Sequence, residues 1–284
     1  MTKQDMIAQI KDVLGTDTPS MTFMPEDQVK RLYDKHVATD YIMYEEISLG
    51  SSAGNLQKWI VTRNTESYYV KDRSQPTAFE PETEVFGYKL ATLLGVVAVP
   101  QWLENIPTLS SQPASVSKDY RLGRKTSSLF KYMRVKARDR GFSLTHGASR
   151  YDLVISMLPE KAQLLHDTIL YFDYIIMNPD RHLRNLEVFY GIKGEITGLV
   201  PAYDFGMGMY SSKTSFDDEL GTQPYFRRGR EQVDFLLSRN KPHTMKRISE
   251  EQVKNLTAQM YPASRSGILS EKVIARLKEL GLIC

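Results

Sequence analysis

Residues 174–189 read YIIMNPDRHLRNLEVF. They open as an apolar helix end, break into a turn crowded with Asn, Pro, Asp, Arg, His and Asn, and leave as an apolar strand. Upstream, EKAQLLHDTILYFDYIIM (160–177) places Ala162, Leu165, Ile169, Phe172 and Ile176 at steps of three and four, which predicts a buried helix running into the turn. Downstream, LEVFYG and ITGLVPAYD are joined by IKGE and read as a β-hairpin that brings the chain back to the turn. Two hydrophobic elements thus hold a polar loop still.

Working outward, the first forty residues read as helical, with Pro25 opening PEDQVKRLYDKHVA. YIMYEEISL, LQKWIVTR and ESYYVKD are rich in Ile, Val, Tyr and Trp, and the turns GSSAGN and NTE separate them. They predict an antiparallel meander of three strands. PETEVFGYKLATLLGV (81–96) has a helical apolar face, with Gly95 at the C-cap. VAVPQWLEN reads as a further strand, and TLSSQPASVSKD (108–119) as a polar connector between lobes. Helices follow near 229–238, 249–261 and 269–280, with Ser249 and Gln252 in the form of a capping box. The order predicts an α+β, two-lobed, protein-kinase-like fold. A small β-rich N-lobe spans 1–118 and a mainly helical C-lobe spans 119–284.

Composition narrows the class. The 284-residue chain is 41% hydrophobic and 25% charged, ordinary for a soluble protein with a sizeable core. Its net charge is only +3, and apart from Arg227, Arg228 and Arg230 the basic residues are scattered, which argues against direct nucleic-acid binding. The single cysteine, Cys284, excludes an intrachain disulfide and a cysteine zinc site. The five histidines lack zinc-ligand spacing. No run is apolar enough to span a membrane, and MTKQDMIAQIKDVLG lacks a signal-peptide core. A cytoplasmic setting is expected, with export as an effector compatible with the same sequence.

Phosphoryl transfer from ATP asks a protein for positioning and charge stabilisation. Asp180 and Asn185 are five residues apart, the spacing of Asp and Asn in the kinase catalytic loop. At that spacing Asp180 can face an acceptor hydroxyl while Asn185 turns toward a metal. Taken alone, NPDRH also reads as a helix-ending turn in which Asp180 satisfies local N–H groups. Asp204, in LVPAYDFGMGM, lies at the end of the hairpin and so returns beside Asn185. Two oxygen ligands there suit Mg²⁺ carrying phosphates. Lys71, in the strand YYVKD, suits a phosphate contact, although a strand-end lysine usually reaches solvent. Glu84 on the next helix is placed to hold Lys71, with Glu80 and Glu82 as competitors. Gly50, Ser51, Ser52, Ala53 and Gly54 form a flexible turn whose N–H groups could wrap phosphates, or a plain hairpin loop.

The chain resembles the HipA-like serine/threonine kinases of bacteria, which include the HipA toxin and the shorter CtkA-type proteins. NPDRHLRN is similar to that family's N-x-D-x-H-x-x-N loop, LVPAYD to its L-x-P-x-Y-D metal site, and SSAGNLQK to its phosphate loop. EVFGYKLATLLGVVAVP is similar to its helix and following strand, so the likeness runs from about Leu49 to Asp204. The resemblance implies ATP and Mg²⁺ as cofactors, Asp180 as catalytic base, and Asn185 and Asp204 as Mg²⁺ ligands. It implies Lys71 on the ATP phosphates with Glu84 as partner, and His182 bracing the loop. Ser51 falls where HipA carries an inhibitory autophosphorylation site, with Ser52 adjacent and Ser211, Ser212, Thr214 and Ser215 as alternatives.

The expected substrate is a protein hydroxyl, and HipA relatives act on aminoacyl-tRNA synthetases. An antitoxin partner is compatible with the resemblance. The segment before the phosphate loop is shorter than in HipA, which favours a compact arrangement. DFGMG departs from the family after the metal aspartate. Two other readings stand beside this one: a small-molecule or lipid kinase, since D-R-H-x-x-N also resembles phosphoinositide kinases, and a pseudokinase or corepressor bound to a DNA-binding antitoxin.

Overall fold

The computed structural model describes residues 2–14, 19–36, 42–46, 58–63, 66–107, 109–121, 123–140, 147–213 and 223–284. It divides into two compact units. The first comprises Met1–Ser74 and Gln101–Asp119, the second Gln75–Pro100 and Tyr120–Cys284.

The first unit opens with α1 (Lys3–Leu14), a 3-10 turn (Pro19–Phe23) and α2 (Glu26–His36). Met6, Ile7 and Ile10 share one face of α1 and bury against Met21 and Val29. A five-stranded antiparallel sheet follows, built from β1 (Ile42–Glu46), β2 (Lys58–Arg63), β3 (Glu66–Lys71), β4 (Trp102–Glu104) and β5 (Ala114–Lys118). Its spatial order is β1-β2-β3-β5-β4. The three-stranded meander is therefore present as expected, with Trp59 opposite Val70 and Lys58 opposite Lys71.

Two expectations need correction here. Residues 108–119 do not simply connect lobes, because Ala114–Lys118 is a strand paired with both β3 and β4. Its two serines, both buried, give the segment a polar look in the sequence. Ala114 and Val116 are fully buried and join Trp59, Val61, Val70 and Ile106 in one cluster. VAVPQWLEN is also only partly strand: β4 covers three residues. Val99 N instead donates to the Ala202 carbonyl at 2.8 Å, and Ala202 N donates to the Val97 carbonyl at 2.9 Å, within the second unit.

The second unit begins with α3 (Glu80–Leu94). Gly95 ends it at φ 74°, a left-handed C-cap in which its N–H reaches back to the carbonyls of Ala91 and Thr92. Then come β6 (Thr126–Ser128), α4 (Leu129–Arg140), α5 (Ala148–Met157), α6 (Glu160–Ile175), β7 (Glu187–Tyr190) and β8 (Ile196–Leu199). The expected hairpin is β7–β8, antiparallel with Val188 opposite Leu199, and β6 joins its outer side. The chain closes with α7 (Gly229–Ser238), α8 (Glu250–Met260) and α9 (Ala263–Glu279). Residues 166–175 of α6 are buried on every side, which makes α6 the central helix rather than an amphipathic one. The capping box opens α8 as expected: Ser249 Oγ accepts from Gln252 N at 3.1 Å, and Gln252 Oε1 accepts from Ser249 N at 2.9 Å. Helix α9 starts six residues before its sequence-predicted position, since Ala263–Gly267 carries no apolar period to mark it. Among the described residues no helix is long and apolar enough to cross a membrane.

Candidate active site

The site residues of the second unit lie where α6, the following loop and the hairpin meet. Helix α6 ends at Ile175, and Met177 takes φ 52°, which turns the chain out of the helix. The loop that follows is tied to itself. Asp180 N donates to Asn178 Oδ1 at 3.1 Å, and His182 N donates to the Asp180 carbonyl at 3.0 Å. Asn185 Nδ2 donates to the same carbonyl at 2.9 Å. The predicted Asp180–Asn185 step is thus a closed ring of polar contacts.

Arg181 locks this ring to the helix. It is fully buried, the largest such side chain among the described residues. Its Nε and Nη2 donate to Asp173 Oδ2 and Oδ1 at 2.7 and 3.1 Å, a bidentate grip on α6. Its Nη1 donates to the Asn185 carbonyl at 2.9 Å, and Nη2 lies 3.5 Å from the Asp204 carbonyl. One guanidinium therefore touches the helix, the loop's end and the hairpin's return. Burial works against the Arg181 charge, but Asp173 more than offsets this and holds its pKa above the ordinary value. Burial likewise pushes the Asp173 carboxyl up, against the pull of Arg181 and of Asn178, whose Nδ2 donates to Oδ1 at 2.8 Å.

Asp204 follows the hairpin with φ 61°, a left-handed conformation uncommon outside glycine and characteristic of functional sites. The turn aims the next residue inward. Phe205 is fully buried, edge-on to Phe172 at 5.4 Å and beneath Arg181 at 5.7 Å. Its backbone N donates to Glu84 Oε2 at 2.9 Å. Glu84 is itself 2% exposed, so the α3 carboxylate anchors the 204–206 turn. Close packing explains two glycines. A Cβ at Gly87 would fall 2.6 Å from the Phe205 ring, and one at Gly206 would fall 3.1 Å from Glu84 Oε1.

Of the residues singled out from the sequence, Glu84, Asp180, His182, Asn185 and Asp204 all lie in the second unit. Lys71 ends β3 in the first unit, half-buried and opposite Ser115 of β5. Gly50, Ser51, Ser52, Ala53 and Gly54, together with Thr214 and Ser215, lie outside the described residues. His182 Nε2 stands 3.7 Å from Asp180 Oδ1, so its hold on the loop runs mainly through the backbone. Arg184 is exposed, with its guanidinium 5.1 Å over the Phe130 ring. Asp173, Asn178 and Arg181 escape spacing arguments. A signal for the first was present: Asp173 interrupts the apolar run ILYFDYIIM, and a buried carboxylate demands a partner.

The donor set is compatible with Mg²⁺. Asn185 commits Nδ2 to Asp180, which leaves Oδ1 as its ligating end. Asp204 adds a carboxylate whose backbone is held by the same arginine. Two oxygen donors with water and phosphate completing the shell is the usual magnesium arrangement. Among the described residues no group of three or more His, Cys, Asp or Glu forms a metal cluster.

No family model matches the chain, and no curated protein matches it. Solved structures do. The proinflammatory kinase CtkA of Helicobacter pylori superposes with a TM-score of 0.61 at 13% identity, over 84% of this chain and 92% of that one. HipA of Shewanella oneidensis MR-1, in a toxin–antitoxin complex with HipB and operator DNA, gives 0.54 at 13% identity, over 99% of this chain and 72% of that one. The fold is similar to that of these two proteins. At this identity the likeness establishes architecture, and the α+β, kinase-like fold expected from the sequence is the one observed.

Proposed function

We propose that the chain is an ATP-dependent serine/threonine protein kinase of HipA-like type. The observation that carries this reading is the Arg181 clasp, which ties Asp173, Asn185 and Asp204 to one buried guanidinium beside Asp180. A loop rigidified at such cost in buried charge serves positioning, which is what phosphoryl transfer needs.

In this reading Asp180 orients the acceptor hydroxyl and accepts its proton. Asn185 Oδ1 and the Asp204 carboxylate hold Mg²⁺, which when bound offsets the negative charge of the phosphates. Lys71 contacts the ATP phosphates and Glu84 steadies it, while Glu84 also fixes the turn after Asp204 through Phe205 N. Residues 50–54 wrap the phosphates, and Ser51 or Ser52 is the autophosphorylation site. A phosphate there adds roughly −1.5 to −2 charges against those of ATP. The N-lobe (1–118) and C-lobe (119–284) are the working halves, the setting is cytoplasmic, and an antitoxin protein is a natural partner.

The test is incubation of wild type and Asp180→Ala with labelled ATP, Mg²⁺ and a cell extract, followed by separation of protein from lipid. Protein labelling by wild type, lost by at least about 100-fold in the variant, is expected for a general base. Equal labelling by both would refute the reading. Label confined to lipid would transfer it to the lipid-kinase alternative.

A further inference from the structure

A cavity of about 570 Å³ opens in the second unit against the polar loop, within the size range of ligand sites. Asn178 and Pro179, the two residues before Asp180, form part of its wall. The opposite wall is a single stripe of α9: Lys272, Ala275, Arg276 and Glu279 recur at steps of three and four. The start of α7 supplies Arg228, Gly229 and Arg230, with Arg227 adjacent in sequence.

The wall is strongly cationic. Lys213, Arg228, Arg230, Lys272 and Arg276 face two carboxylates, Asp173 and Glu279. Asp173 is gripped from behind by Arg181, and Glu279 pairs with Arg230. The amino end of α7 adds its own partial positive charge. Burial pushes the Lys213 ammonium down.

A second feature is neutral and points to the backbone of a ligand. Gln223 is 5% exposed, and its Nε2 donates to the Asn178 carbonyl at 2.7 Å, which settles the orientation of the amide. Its Oε1 is buried with no hydrogen-bond donor among the described residues, and the residue lines the cavity. A ligand that satisfies both features carries an anion and an N–H donor within a few ångströms. An acidic or phosphorylated residue in a peptide does so.

We propose that this cavity docks an acidic residue of the substrate protein, a phosphoserine, phosphothreonine or carboxylate that neighbours the acceptor hydroxyl in sequence. The acceptor half of this statement rests on the kinase reading; binding of the anionic peptide does not.

The test uses the full chain without ATP. Fluorescein-labelled peptides with one central serine, flanked by phosphoserine, Asp, Ala or Lys, are titrated by anisotropy. The phosphoserine or Asp peptides are expected to bind at least tenfold tighter than the Ala and Lys peptides, with the preference fading as salt rises. Arg228→Gln combined with Lys272→Gln should remove the preference without shifting the thermal midpoint. Ala275→Glu, which adds a carboxylate to the same wall, should do the same. The ratio of phosphoserine to Asp binding tells which anion the site takes. Equal binding of all four peptides, or an unchanged preference in both variants, overturns the proposal. So does retention on anionic lipid vesicles with no preference among the peptides. Tight phosphopeptide binding in a protein that labels nothing with ATP upholds the pocket and refutes the kinase reading.

Discussion

Replacing Arg181 with Met removes the guanidinium and keeps an unbranched apolar chain of similar length in its place. Asp173 is then left 1% exposed with Asn178 Nδ2 as its remaining side-chain donor. Two charge-assisted bonds to the carboxylate and one to the Asn185 carbonyl disappear together. Breaking a buried pair from one side costs about 3–5 kcal/mol, because the surviving charge stays desolvated. That is a large share of the roughly 5–15 kcal/mol that stabilises a typical domain. For a unit of this size the thermal midpoint should fall by about 6–20 °C. Urea denaturation of Arg181→Met, Asp173→Leu and the double variant measures the pairing directly. The double variant removes both charges, so it should lie within about 1–3 kcal/mol of wild type, the cost of leaving the Asn178 amide and Asn185 carbonyl unsatisfied. The proposed phosphoryl transfer should nevertheless be lost, since the Arg181 bridge from the Asn185 carbonyl to the Asp204 carbonyl is gone. A single variant within about 1 kcal/mol of wild type, or a double variant as unstable as the two singles summed, would refute the account.

Other expectations follow from the same contacts. Gly87→Ala forces a methyl into the Phe205 ring and should destabilise by about 1–3 kcal/mol, with Phe205→Leu in the same chain recovering part of the loss; urea midpoints that ignore Gly87→Ala would contradict the packing. Burial holds the His243 imidazole below its ordinary 6.5, so the folded chain prefers the neutral ring. Its contribution to stability is complete above 6.5 and is lost as pH falls through the lower folded value. His243→Phe, which keeps a ring against Tyr171, should therefore flatten the acid limb of a midpoint-versus-pH curve, and an unchanged curve would count against it. Ser249→Ala breaks the capping box of α8 and should cost about 0.5–2 kcal/mol in thermal unfolding; no shift would mean the cap contributes nothing.

The parts of the fold that could be read from the chain are those with a short-range signature. The β7–β8 hairpin, the Gly95 cap and the Ser249–Gln252 box each rest on residues a few positions apart. The step from Asp180 to Asn185 is similarly local, and the structure closes it through one carbonyl. Strand β5 was hidden because three of its five residues are Ser or Lys, and its identity comes from pairing with β3 more than forty residues away. Arg181 reads as a turn residue beside Asp180, and only the packing of α6 makes it the most buried charge among the described residues. Glu84 reads from the sequence as a carboxylate on a helix, and it lies on α3. Its backbone partner, Phe205 N, lies 121 residues downstream and leaves no trace in local pattern.

The Arg181–Asp173 clasp also bears on how the site assembles in time. The two residues are 8 apart, whereas the Glu84–Phe205 contact spans 121. Closing the shorter loop costs about 2.4 kcal/mol less chain entropy. The polar loop can therefore set its shape as soon as the ribosome has released it, well before the hairpin's far end meets α3. Pulse-labelled hydrogen exchange during refolding would show protection at Asn185 ahead of Phe205, and the reverse order would exclude this sequence of events. A nascent chain would then carry a finished loop waiting for its second carboxylate, and the moment of completion would be the burial of one phenylalanine.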